Sequence, residues 1–126
     1  MKTINKNLTN NEIYSHALAL MNDFQENDAY MPAAVAYSIQ KNKDTVVGLG
    51  EEIEKSRLSI IQHYELDKLE EGQEVDPAII EKANAELIDL LSIEQEVKIY
   101  TFSIEALNDV KLTSAQMQAL MFMIED

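Results

Sequence analysis

The stretch PAAVAYSIQKNKDTVVGLGEEIEKSRLSIIQHYEL, residues 32–66, decides the reading of this chain. Within it Val35, Ile39, Asn42, Val46, Leu49, Ile53, Ser56, Ile60 and His63 recur at alternating steps of four and three. Residues so spaced share one face of a helix, which predicts a single long helix with a mostly apolar seam. After an acidic loop at residues 67–76, the same rhythm continues through Ile80, Ala83, Leu87, Leu90, Glu94 and Val97. Two such seams predict a long antiparallel helical hairpin, residues 32–66 and 77–96, with coiled-coil-like packing.

The punctuation of the hairpin has a mechanism. Pro32 suits a first helical turn, where its missing amide costs nothing. Asp76-Pro77 starts the second helix as cap and first residue. Gly48 and Gly50 each cost about 1 kcal/mol relative to alanine in a helix interior. They predict a kink or a close backbone contact, and a break there is the chief threat to the hairpin. Asn42 and Ser56 on the seam carry two readings of equal weight: they fix register or oligomeric state, or the seam is wide and wet.

Outside the hairpin the chain carries two matching helix starts. In Leu8-Thr9-Asn10-Asn11-Glu12-Ile13, Thr9 and Glu12 form a capping box, and Leu8 with Ile13 an apolar staple. The helix that follows presents Ile13, Ala17, Leu20, Met21 and Phe24 on one face and ends within Gln25-Glu26-Asn27-Asp28. In Leu112-Thr113-Ser114-Ala115-Gln116-Met117, the box is Thr113 with Gln116 and the staple Leu112 with Met117. That second helix presents Met117, Leu120, Met121 and Ile124, with Phe122 and Met123 off the face, so it is apolar nearly all round and expected to be buried. Between these, Val97-Lys98-Ile99-Tyr100-Thr101-Phe102 is β-branched and aromatic and reads as a strand. Its expected mate is Thr3-Ile4-Asn5-Lys6, and residues 104–107 are expected to make one helical turn.

The fold class is therefore mainly α with a minor β element. It is one domain over residues 1–126, with a hairpin at about 32–96 and a base from residues 1–30 and 97–126.

Composition limits the function. The 126 residues hold 23 acidic and 10 basic side chains, a net charge of −13. Such a charge repels nucleic acid and anionic membranes and leaves room for a basic protein partner. No cysteine is present, which removes disulfides, thiolate metal sites and a cysteine nucleophile. The segment MKTINKNLTNNEIY lacks the apolar core of a secretory signal. No apolar run approaches the roughly 20 residues of a membrane span.

The candidates for chemistry are few. Glu51 and Glu52 on the first long helix could face Glu86 and Asp89 on the second and hold a divalent cation against a phosphate chain. The pattern resembles that of the all-α nucleotide pyrophosphatases, whose helices carry EExxE and ExxD, but Lys55 stands where a third Glu belongs. A solvated acidic face is the favoured reading of these four. His16 and His63 lack any partner that would complete a catalytic arrangement and read as packed or surface histidines. Gly48-Leu49-Gly50 lacks the Lys-Ser or Lys-Thr of a phosphate loop. Met117, Met121 and Met123 could form an adaptable docking surface, although closing the core over the N-terminal helix is favoured.

Three stretches carry a resemblance. They are Gln40-Lys41-Asn42-Lys43 running into Glu51-Glu52-Ile53-Glu54-Lys55-Ser56-Arg57, then KANAELIDLLSIEQEVKI at residues 82–99, then LTSAQMQALMFMI at residues 112–124. In that order and spacing they resemble short uncharacterised proteins encoded by tailed phages of Gram-positive bacteria. The resemblance implies a phage or prophage origin and action in the cytoplasm of an infected bacterium, or in the virion.

These readings point to a non-enzymatic protein-interaction protein, an assembly factor or small virion-associated component, with no cofactor and no catalytic residue. Its expected partner is a phage or host protein or a second copy of itself, with neither nucleic acid nor membrane bound directly. Val46, Leu49, Ile53 and Leu87 are the expected seam contacts, and Met121 and Phe122 the expected docking residues. The alternative is an acidic inhibitor of a host nuclease or other defence protein. A less favoured alternative is a metal-dependent nucleotide hydrolase using Glu51, Glu52, Glu86 and Asp89.

Overall fold

A computed structural model describes residues 2–24, 30–70 and 72–125. The described residues are mostly helical, with one small sheet. In chain order they form β1 (Lys2–Thr9), α1 (Asn10–Asp23), α2 (Ala33–His63), α3 (Pro77–Ser92), β2 (Glu94–Ser103), α4 (Ser114–Leu120) and β3 (Ile124–Glu125). Short 3₁₀ turns lie at Leu66–Lys68, Ile104–Leu107 and Met121–Met123.

The strand expected after the second long helix exists, and so does its expected mate. β1 and β2 run antiparallel, with Thr3 opposite Tyr100 and Lys6 opposite Val97. Both strands are longer than the sequence suggests, because pairing runs from Lys2 opposite Thr101 to Thr9 opposite Glu94. The helical rhythm through Glu94 and Val97 therefore stops at Ser92. From there burial alternates along the strand, with Val97, Ile99 and Thr101 turned inward. β3 adds a third strand, parallel to β2 at Phe102 and Ser103, which the sequence did not announce.

Thr9 ends β1 and caps α1 in one residue. Its hydroxyl accepts from the Glu12 amide at 3.1 Å, and its own amide donates to the Glu12 carboxylate at 3.0 Å. Leu8 and Ile13, the staple, are both buried. Asn10 then ties this corner to the opposite one. Its backbone amide donates to the Ile93 carbonyl at 2.8 Å, its side chain donates to the Leu90 carbonyl at 2.9 Å, and it accepts from Gln95 at 2.7 Å. α1 ends at Asp23 with Phe24 as its C-cap, whereas the expected end at residues 25–28 lies outside the described residues.

α2 is continuous over 31 residues, through both glycines. Gly50 answers the expectation of close contact: a Cβ there would lie 3.4 Å from the Ala17 Cβ. Tyr14 meets Glu54, Ala17 meets Gly50, and Phe24 meets Lys43, so α1 and α2 run antiparallel. α2 packs more extensively on α1 than on α3. The buried part of its seam, Val35, Ile39, Asn42, Val46 and Ile53, closes a core shared with α1, the sheet and the C-terminal segment. Ser56 and His63, further along the same stripe, are exposed.

The C-terminal capping box of Thr113 and Gln116 is present, at 3.1 and 3.0 Å. α4 ends earlier than the apolar run suggests. A 3₁₀ turn at Met121–Met123 changes the angular step, which buries both Phe122 and Met123 and turns Met121 out.

Candidate interaction surfaces

The expected contact residues divide by burial. Val46, Ile53 and Phe122 belong to the core cluster, so in the folded chain they are closed to a partner. Val46 and Ile53, expected on the seam, close against the chain's own core, and Phe122, expected to dock a partner, is buried there as well. Leu49 and Leu87 are half-buried, and Met121 is 60% exposed. Of the three C-terminal methionines, Met123 closes the core, Met117 lies against it, and Met121 faces outward.

α3 is the most weakly covered helix. Asp76 accepts from the Ala78 amide at 2.9 Å with Pro77 at the first helical position, as its sequence dictates. Its sole fully buried residue is Ala83. Leu90 and Leu91 pack against the core, while Ile79, Ile80 and Ile88 are exposed, Ile88 to 64%. Leu58 near the C-terminal end of α2 and Leu69 beyond it are exposed as well. Ile88 and Leu91 line a shallow hollow with Thr9, Asn11 and Ser92.

A second surface lies between α1 and α2. Met21, Lys43, Asp44, Val47, Gly48 and Glu51 line an open groove of about 550 Å³. It adjoins an apolar hollow of about 200 Å³ that shares Met21, Val47 and Glu51 and adds Leu18, Gly50 and Glu54. Sequence reasoning placed Met21 on the buried face and left Leu18 unassigned; they are 48% and 43% exposed. The missed signal is the length of the apolar arc on α1, wider than one neighbouring helix can cover.

The polar groups at this surface are ordered. Arg57 grips Glu54 in a two-point contact, Nη2 to Oε1 at 2.6 Å and Nε to Oε2 at 2.8 Å. Tyr14 donates to the same carboxylate at 3.3 Å. Hydrogen bonding to Arg57 is the main reason the Glu54 carboxyl titrates below the usual carboxylate range. At the end of α2, the neighbouring Glu86 carboxylate pushes the Tyr64 phenol up.

Glu51, Glu52, Glu86 and Asp89 are all exposed. No group of three or more His, Cys, Asp or Glu converges among the described residues. His16 is half-buried and stacked on Phe122, with ring centroids 4.0 Å apart and planes at 21°. Burial holds its pKa below the ordinary histidine value, against an opposing pull from Glu12. His63 is exposed, edge-on to Tyr64 at 4.8 Å. Among the described residues no helix is long and apolar enough to cross a membrane.

No family model, curated protein or solved structure matches this chain.

Proposed function

We propose that the chain is a non-enzymatic protein-interaction protein of phage origin, an assembly factor or small virion-associated component. The carrying observation is the apolar surface of α3, with Ile79, Ile80 and Ile88 exposed beside a single fully buried residue, Ala83. Exposed apolar side chains grouped on one helix of a small acidic protein mark an interaction site. In this reading α3 and the C-terminal part of α2 form the hairpin arm that meets a phage or host protein, with Leu87 and Ile88 as anchors. The phage origin rests on the resemblance of residues 40–57, 82–99 and 112–124.

A second reading, an acidic inhibitor of a host nuclease or defence protein, is favoured by the net charge of −13. One experiment separates the two. Tagged wild-type chain and an Ile88→Glu variant are recovered from infected cells, and bound proteins are identified by mass spectrometry. Capsid or tail proteins that bind wild type and are lost from Ile88→Glu support the assembly reading. A basic host protein, released by salt and indifferent to Ile88→Glu, supports inhibition instead. Identical recoveries of all proteins with both chains would remove α3 as the contact.

A further inference from the structure

Gly48 lies deep inside a 31-residue helix, where glycine is the least favoured residue after proline. Its neighbour Gly50 is explained by the close approach of Ala17. Gly48 has no such reason, because a Cβ built there meets nothing within 4 Å among the described residues. It lines the groove between α1 and α2, beside exposed Met21 and half-buried Val47. Here a missing side chain leaves room for a backbone that the described residues do not supply.

We propose that this groove receives an amphipathic helix with a basic polar face, carried by a protein partner. The shape suits a helix: two antiparallel helices leave a furrow, and apolar residues of an incoming helix at helical spacing would meet Leu18, Met21 and Val47. Gly48 lets its backbone come close. The charge suits a basic one. Asp44 and Glu51 stand along the groove, Glu54 is already held by Arg57, and Lys43, the one cation among the described lining residues, already donates to the Phe24 carbonyl at 3.2 Å. A second copy of the chain would bring acidic groove against acidic groove, each chain at −13, which opposes self-association here. The groove is separate from the exposed face of α3, so this inference stands whether or not α3 is a contact surface.

The test uses the full chain and two synthetic peptides of about five helical turns. Both carry leucine along one face. One has lysine and serine on the other face, its control glutamate and serine. Binding is read by fluorescence anisotropy at low and high salt. The lysine peptide is expected to bind, the glutamate peptide not to bind, and salt to weaken the complex. Gly48→Leu and Gly48→Gln are each expected to weaken binding at least about tenfold. Melting curves of both variants should match or exceed wild type, since nothing crowds the site. Ile88→Ser, on α3, should leave peptide binding unchanged. Equal binding by the Gly48 variants, or equal binding of the two peptides, would overturn the proposal. A wild-type dimer that Gly48→Leu converts to monomer would overturn it too, assigning the groove to a second copy.

Discussion

Asn42 and Tyr100 exchange two hydrogen bonds of 2.8 Å: the Asn42 side-chain amide donates to the Tyr100 carbonyl, and the Tyr100 backbone amide donates to the Asn42 side-chain oxygen. The carboxamide of a helix residue thus stands where another strand would stand. β3 reaches only Phe102 and Ser103 on β2, and Asn42 serves Tyr100, two residues before Phe102. A fully buried polar side chain on the seam therefore joins the longest helix to the sheet. Asn42→Leu would keep the volume and orphan both Tyr100 groups. We expect a loss of about 2–4 kcal/mol, read by urea denaturation. A loss under about 1 kcal/mol would mean that water or a shift of β2 replaces the pair.

Ser38 lies one turn before Asn42, fully buried, and its hydroxyl has no hydrogen-bond partner among the described residues. An unsatisfied buried hydroxyl costs free energy that alanine would avoid. Ser38→Ala is expected to stabilise the chain by about 1 kcal/mol. A clear destabilisation by calorimetry would show that the hydroxyl is bonded in solution.

The two capping boxes allow a paired comparison. Thr9→Ala and Thr113→Ala should each cost about 1 kcal/mol at neutral pH. Thr9 also hydrogen-bonds the Glu12 carboxylate, first through its backbone amide and then its hydroxyl, which holds that carboxyl below its usual range. A depressed carboxyl pKa stabilises the fold above the unfolded-state value, about 4.3, and the gain fades as pH falls through the folded value. Glu12→Gln should therefore flatten part of the acid limb of the stability curve. An acid limb identical to wild type would remove Glu12 from the account.

His16 should act over a higher window. Its folded-state pKa is lowered mainly by burial against Phe122, so the unfolded chain takes up the proton first. Stability should decline as pH falls below about 6.5 and level off once the folded-state histidine is also protonated. Its imidazole resonances should titrate below the ordinary histidine value. His16→Gln should remove this step from the profile. Titration of His16 at the ordinary value would refute the burial argument.

The two glycines of α2 should behave differently on substitution. Gly48→Ala adds a methyl into open space and should stabilise by about 0.5–1 kcal/mol. Gly50→Ala sets a methyl 3.4 Å from Ala17 and should gain less, because α1 must accommodate it. Equal gains would mean that α1 gives way freely.

Much of the local structure was legible from the residues. Thr9 with Glu12, Thr113 with Gln116, and Asp76 with Pro77 mark helix starts because each cap closes its hydrogen bonds within three residues. The β-branched run at residues 97–102 identified β2, and residues 3–6 were its correct mate. The surfaces were less legible. The apolar arc of α1 includes Leu18 and Met21, but which part of it stays exposed follows from how far α1 overlaps α2.

The sequence by itself determined where helices begin, that an amphipathic stripe runs along α2, and that residues 3–6 pair with the strand at residues 97–102. These rest on hydrogen bonds and side-chain spacings that neighbouring residues set. Only the tertiary structure decided what each face meets. α2 lies mainly against α1 instead of α3, Asn42 binds the Tyr100 backbone, and the C-terminus breaks its helix to bury Phe122 and Met123 and add β3. Those outcomes depend on several elements sharing one core, where an apolar stripe fixes that a face is buried and the competition among neighbours fixes against what.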